Sequence, residues 1–285
     1  MRSTAGYPLI PLLVALVLAA MGCGPGEGVD PATERAEEFH QAFEEAEEVT
    51  VTVVFDNNPY LEGLKTSWGF SCLVEGWEKT VLFDTGGDGD ILLYNMERLG
   101  IDPGHIDAVV ISHTHGDHTG GLARLLSSHP DLEVYLPASA GTDLKYSVRS
   151  SASLLVEVSD ALPICAGIWS TGELGSGIRE QALVVKSDAG LIVTTGCAHP
   201  GIVEMVRAAK AAVAGDILLA IGGFHLRDSG GGEIERIIAE LKELGVRRVG
   251  PCHCTGDNAI ESFAGAFGED FIMVGVGKRV AAEEL

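Results

Sequence analysis

The sequence is short of basic residues, cysteines and long apolar runs. Nineteen lysines and arginines stand against 41 aspartates and glutamates in 285 residues, a formal net charge of −22. A surface that negative repels phosphate backbones, which argues against nucleic-acid binding through a basic face. It leaves room for a small anionic substrate, because a bound metal ion inverts the local field. Six cysteines (Cys23, Cys72, Cys165, Cys197, Cys252 and Cys254) are too sparse for a disulfide scaffold. The apolar stretch from Leu9 to Ala20 is short for a membrane-spanning helix, and Pro8 and Pro11 interrupt its start. Apolar side chains, by contrast, are plentiful: 46% of residues are hydrophobic and 21% charged, which excludes disorder throughout and suffices for a buried core.

Arg2, the apolar stretch and Met21-Gly22-Cys23-Gly24 together read as an export signal over residues 1–23. Gly22-Cys23 resembles a bacterial lipoprotein processing site with Cys23 as the lipidated residue. The expected location is therefore exported and lipid-anchored; ordinary cleavage and an uncleaved anchor are the alternatives. Any membrane contact is expected through this segment alone. Residues 24–48 read as a Gly/Pro-rich tether followed by an acidic helical spacer that carries Phe39, Phe43 and Ala46.

From residue 49 to 285 the pattern is that of one domain. Strands are expected at Val49–Phe55, Phe70–Val74, Thr80–Phe83, Ile106–Ile111 and Leu132–Leu136. A second batch follows at Ala182–Lys186, Leu191–Thr195, Ile217–Ile221, Val246–Val249 and Phe271–Val274. Helical stripes occupy Ile91–Leu99, the segment around Leu122, Leu125 and Leu126 with Thr119 as its N-cap, the run from Val203 to Val213, and Ile234–Leu244. Pro137–Gly177 shows no clear period and reads as irregular, substrate-shaping loops. Mixed strands and helices in two batches predict an α/β sheet core with helices outside.

Chemistry concentrates at strand ends. The strand at Ile106–Ile111 runs into Ser112-His113-Thr114-His115-Gly116-Asp117-His118, four metal-capable side chains within six residues. Alternation along an extended chain points His113 and His115 the same way. Gly116 permits a turn that lets Asp117 and His118 face a neighbouring position, so that one loop serves two ions. Neutral imidazole and carboxylate suit Zn²⁺. Further histidines follow later strands in Thr194-Thr195-Gly196-Cys197-Ala198-His199, Ile221-Gly222-Gly223-Phe224-His225 and Pro251-Cys252-His253-Cys254. Cys252 and Cys254 lack the spacing and the partner pair of a zinc knuckle, and in an extended segment they point away from His253.

His113-x-His115-x-Asp117-His118 resembles the signature of the metallo-β-lactamase superfamily, whose fold is a four-layer αββα sandwich. Leu82-Phe83-Asp84-Thr85-Gly86 is similar to its first motif. The later His-bearing segments, with Trp68-Gly69-Phe70-Ser71 and Asp56-Asn57-Asn58, resemble the subgroup related to 7,8-dihydropterin-6-methyl-4-(β-D-ribofuranosyl)aminobenzene-5′-phosphate synthase. The resemblance implies a first divalent metal on His113, His115 and His199, a second on Asp117, His118 and His253, and Asp84 hydrogen-bonded within the metal loop. One or two ions, Zn²⁺ foremost with Mn²⁺ or Fe²⁺ as alternatives, are the implied cofactors. The superfamily's bridging Asp has no counterpart here; Cys197 or His225 stands in that region. Cys197 reads as a zinc-preferring thiolate or as a buried inert thiol, and His225 as a ligand, a substrate-contacting catalytic group or a structural histidine. His115, where a flavodiiron site carries Glu, points away from oxygen-reducing di-iron chemistry.

The resemblance implies an enzyme: a metal-dependent hydrolase of a phosphoester or related bond in a small molecule, with Asp117 and His225 as catalytic candidates. A transferase of the dihydropterin type is the alternative. An exported location weighs against cytosolic cofactor biosynthesis, and the complete ligand loop weighs against a tethered, non-catalytic binding protein.

Overall fold

The computed structural model describes residues 48–285. The export signal, Cys23 and all but the last residue of the acidic tether lie outside the described residues. No described helix is long and apolar enough to cross a membrane.

The strands run in chain order β1 (Thr50–Phe55), β2 (Ser71–Glu75), β3 (Val81–Phe83), β4 (Ala108–Val110), β5 (Glu133–Pro137) and β6 (Leu154–Val158). They continue as β7 (Asp160–Cys165), β8 (Ile168–Gly172), β9 (Leu183–Ser187), β10 (Gly190–Thr195), β11 (Ile217–Gly223), β12 (Arg248–Cys252) and β13 (Arg279–Ala281). One sheet has the order β13-β1-β2-β3-β4-β5-β6 and the other β12-β11-β10-β9-β8-β7. Within the first sheet β3 to β6 are parallel; within the second, β10, β11 and β12 are parallel. The principal helices are α1 (Gly89–Leu99), α2 (Gly116–Thr119), α3 (Leu122–Ser128), α4 (Thr142–Arg149), α5 (Ile202–Ala212), α6 (Gly231–Glu243) and α7 (Asp257–Phe267).

Alternation within the strands sorts the apolar residues into three layers of contact. Val51, Val53, Cys72, Val74, Phe83 and Val110 face Leu183, Val185, Ile192 and Ile221 between the sheets. The opposite face of the first sheet, with Leu73, Leu82 and Val109, packs on Leu92 and Met96 of α1 and Leu122 and Leu125 of α3. Val184, Val193 and Ala220 on the outer face of the second sheet pack on Val206 of α5, Ile234 and Leu241 of α6, and Phe263 of α7. The result is the expected αββα sandwich. Each fully buried aliphatic side chain contributes roughly 1.5–3 kcal/mol.

Four local expectations are corrected. Thr119 closes α2 and does not cap α3, whose N-cap is Gly121; the tight ligand loop uses its own helical turn before the next helix starts. Pro137–Gly177 is ordered, carrying α4, β6, β7 and β8. Its alternation is blurred because β6 and β7 are edge strands with several half-exposed or exposed positions. Phe271–Val274 makes only an isolated bridge to β12, and the closing strand is β13, paired antiparallel with β1. His253–Thr255 is a 3₁₀ turn and not an extended segment, which sends Cys252 between the sheets and Cys254 to the site described next.

Candidate metal centre

Parallel strands place their carboxyl ends side by side, and here both sheets open their parallel ends onto one cleft. Register puts Phe83 opposite Val110, Thr195 opposite Gly222, and Gly223 opposite Cys252. The loops that follow carry Asp84, His113–His118, Cys197–His199, His225 and His253. Among the described residues, the non-glycine positions with positive φ are Asp84 (58°), Ala198 (58°), His225 (53°) and His253 (49°), all in these loops. Left-handed backbone at such residues costs of order 1–3 kcal/mol each and persists where the surroundings hold it, typically at functional sites.

Four overlapping donor groups emerge among the described residues, and two of them are the sets that the resemblance implies. His113, His115 and His199 bring ring nitrogens within 4.8 Å of one another, and a carboxylate oxygen of Asp117 meets ring nitrogens of His118 and His253 within the same distance. His113 Nε2 lies 3.0 Å from His115 Nδ1. His199 Nε2 and His253 Nε2 are buried without a hydrogen-bond partner. An orphaned imidazole nitrogen is costly to bury, and a shared cation satisfies several at once. The donor chemistry, neutral imidazole with one carboxylate, fits a divalent transition metal.

The tautomers follow from the partners. Asp84 accepts the backbone N–H of Ser112 (2.7 Å) on Oδ1 and the Ser112 hydroxyl (2.7 Å) on Oδ2. His118 Nδ1 donates to the same Oδ2 at 2.7 Å, so His118 Nε2 is left with its lone pair. With its own proton given to Asp84, the Ser112 hydroxyl accepts from His113 Nδ1 at 2.9 Å, freeing His113 Nε2. His253 Nδ1 donates to Asn57 Oδ1 at 2.9 Å, while Asn57 Nδ2 donates back to the His253 carbonyl at 3.3 Å. Each anchor turns a lone pair toward the cleft. Gly196 lets the loops close on this network: a Cβ there falls on the Ser112 hydroxyl and 2.8 Å from Asp84 Oδ2.

Burial pushes the His113 imidazole far below its usual range, helped by His118 and His199. Burial and the neighbouring His225 and His115 bring His199 down to about 4. Both are therefore neutral, as ligation requires. His118 is also desolvated, but the Asp84 carboxylate beside it wins and raises it. Burial opposes ionisation of Asp117, yet His253 and His118 hold its carboxyl well below the usual range. Its Oδ2 is 3.4 Å from His253 Nε2 and 3.6 Å from His118 Nε2.

Glu180 carries no motif and escaped sequence reasoning. It is fully buried and accepts the backbone N–H groups of Cys197 (2.8 Å), Ala198 (2.8 Å) and His199 (2.9 Å), so one carboxylate shapes the whole His199 loop. Burial raises its pKa while these three donors oppose the rise. Trp68 and Arg227 were also missed as a pair. The Trp68 ring packs on His253 at 4.7 Å between centroids, and the Arg227 guanidinium lies 4.4 Å over the same indole. Together with His225, Asp228, Ser229 and Cys254 they line a cavity of about 370 Å³ beside the donor sets. Cys197 Sγ is 3.3 Å from His118 Nε2, inside the site. The ring of His225 stands 4.3 Å from that of His199 at the exposed lip.

Fold and donor sets together define a class: a two-sheet α/β sandwich whose cleft carries candidate metal-binding His/Asp groups. The chain belongs to the metallo-beta-lactamase superfamily, whose family model matches residues 69–253. It is 30% identical over 278 residues to the 7,8-dihydropterin-6-methyl-4-(beta-D-ribofuranosyl)-aminobenzene-5′-phosphate synthase of Methanocaldococcus jannaschii, covering 80% of this chain and 95% of that protein. A solved metal-dependent hydrolase of the beta-lactamase superfamily aligns with a TM-score of 0.69 at 30% identity, over 81% of this chain and 98% of that one. A diphosphatase of the PhnP family shares the fold at 17% identity, with a TM-score of 0.55 over 82% and 97% of the two chains.

Proposed function

We propose that this chain is a divalent-metal hydrolase that cleaves a phosphoester or pyrophosphate bond in a small molecule. The observation that carries the reading is the pair of adjacent imidazole-rich donor sets opening to solvent: His115 and His225 are exposed and Asp117 partly so. His113, His115 and His199 would hold one ion, and Asp117, His118 and His253 the other. Bound there, divalent ions supply Lewis acidity that makes water a nucleophile at neutral pH and neutralises charge on a departing oxygen.

The protein's own groups do the rest. Of the carboxylates at the donor sets, Asp84 and Glu180 are fully buried. Asp117, 21% exposed at its side chain, is placed to accept a hydrogen bond from incoming water and orient it, with Asp228 on the cavity wall as a second carboxylate within the site. Arg227 offers a planar guanidinium to a phosphate, and Trp68 an aromatic face to a ring attached to it. His225 borders the same cavity and meets the substrate directly or through a ligated ion. Water adds to phosphorus, the ester oxygen departs, and solvent access through the lip favours this outcome over transfer to a carbon or nitrogen acceptor. Export and lipid anchoring through Cys23 are part of the same proposal, and place the substrate outside the cytosol.

A second reading is group transfer of the dihydropterin type, favoured by the extent of the likeness to the synthase. One experiment separates them. The zinc- or manganese-loaded chain is given a panel of phosphoesters and pyrophosphates, and separately a dihydropterin pyrophosphate with an aminobenzene ribofuranosyl phosphate. Products are identified by mass spectrometry, with His115→Ala as control. Released phosphate without condensation supports hydrolysis; a condensed pterin–aryl product, absent in the control, overturns it.

A further inference from the structure

The second sheet repeats one device three times. Strands β10, β11 and β12 are parallel neighbours that end at Thr195, Gly223 and Cys252. Two residues beyond each end stands a donor: Cys197, His225 and Cys254. Equal offsets on adjacent parallel strands carry the three side chains to one place, and their sulfur and nitrogen atoms lie within 4.8 Å of one another. Cys197 and Cys254 are buried free thiols, while His225 is exposed. The close approach depends on Gly223, where a Cβ would come within 2.7 Å of Cys254 Sγ. His225 reaches the cluster only by a positive φ of 53°. None of the three belongs to the two donor sets assigned above.

We infer that Cys197, His225 and Cys254 form a third metal position, specific for a thiolate-binding cation such as Zn²⁺. Two thiolates and one imidazole are a soft donor set, and three protein ligands leave a coordination position open. Cys254 and His225 both line the 370 Å³ cavity, so the open position faces Trp68 and Arg227. Ligation takes both sulfurs as thiolates, and any proton they carry passes to solvent. Cys197 also touches the neighbouring site, at 3.3 Å from His118 Nε2, so its thiolate lies between two cations.

The test is spectroscopic and independent of catalysis. The full chain is stripped of metal, kept reduced and titrated with Co²⁺, a zinc surrogate whose bonds to thiolate give an intense near-ultraviolet charge-transfer band. The inference expects that band in the wild type and in His115→Ala, its loss in Cys254→Ser, and one equivalent fewer of tightly bound metal in that variant. His225→Ala, altered only at an exposed position, is expected to keep the fold and weaken cobalt binding at the band by at least tenfold. Zinc K-edge absorption should show two sulfur neighbours at ~2.3 Å on one zinc. Absence of the band, or a band that survives Cys254→Ser, overturns the inference. So does recovery of a Cys197–Cys254 disulfide as the resident state when the chain is isolated without reductant.

Discussion

Glu180 offers the sharpest test of how the site is built, because one buried carboxylate answers three backbone N–H groups. Replacing it with alanine strands all three donors in a place water does not reach. At ~1–3 kcal/mol per orphaned buried donor, the loss approaches the whole stability of a typical domain. Glutamine is more informative. Its oxygen keeps the Cys197 and Ala198 N–H groups, now held by Oε1, but its amide NH₂ meets the His199 N–H, donor against donor. The charge removed was itself costly to bury, which offsets part of the loss. The expected net cost is about 1–3 kcal/mol, centred on the His199 loop. Urea unfolding of the metal-free chain measures the stability. Competition with a chelator measures the metal, and Zn²⁺ affinity at the His113, His115 and His199 set should fall ~10–100-fold, while the Asp117, His118 and His253 set is spared. A Glu180→Gln chain with unchanged unfolding and unchanged affinity at both sets would refute the reasoning.

Other consequences follow from the same geometry. Asp84→Asn removes the carboxylate that fixes both His113 and His118, and chelator competition should show ~10–100-fold weaker binding at both sets. Gly196→Ala drives a methyl group into the Ser112 hydroxyl and Asp84; a cost of ~1–3 kcal/mol and a matching fall in Tm are expected by calorimetry. Arg227→Ala should raise KM for a phosphorylated substrate more than it lowers kcat, and equal effects on the two would contradict a binding role. Asp56 is pushed up to about 6 from 3.8 by burial. Since its folded pKa exceeds its unfolded one, its favourable contribution is full below pH ~4 and lost as pH rises through 6, a swing of order 3 kcal/mol in the metal-free chain. Asp56→Asn should abolish that component. Denaturant unfolding of the two chains between pH 4 and 7.5 tests this, and parallel stability curves would contradict it.

Much of this was legible in the sequence, for identifiable reasons. The His113–His118 loop follows a strand buried on both faces, so alternation and Gly116 were enough to split its donors between two neighbouring positions. Asp84 was readable only through the family resemblance, since D-T-G by itself is a weak signal shared with ordinary turns. Glu180 was not, since it touches backbone N–H groups that no side-chain pattern records, and it stands between β8 and β9 with only an isolated bridge to Leu174. Cys254 was misplaced by assuming an extended backbone; the positive φ of His253 turns the chain and redirects the thiol. The edge strands β6 and β7 hid because exposed edges lack the apolar regularity that marks β10 and β11.

The central claim is that two histidine-centred sets each hold a divalent ion. A crystal structure of the zinc-loaded full chain, with anomalous maps collected across the zinc edge, measures it most directly. The account predicts one anomalous peak bounded by His113, His115 and His199, and another bounded by Asp117, His118 and His253. Peaks elsewhere, with these imidazoles hydrogen-bonded to one another or to water, would contradict it.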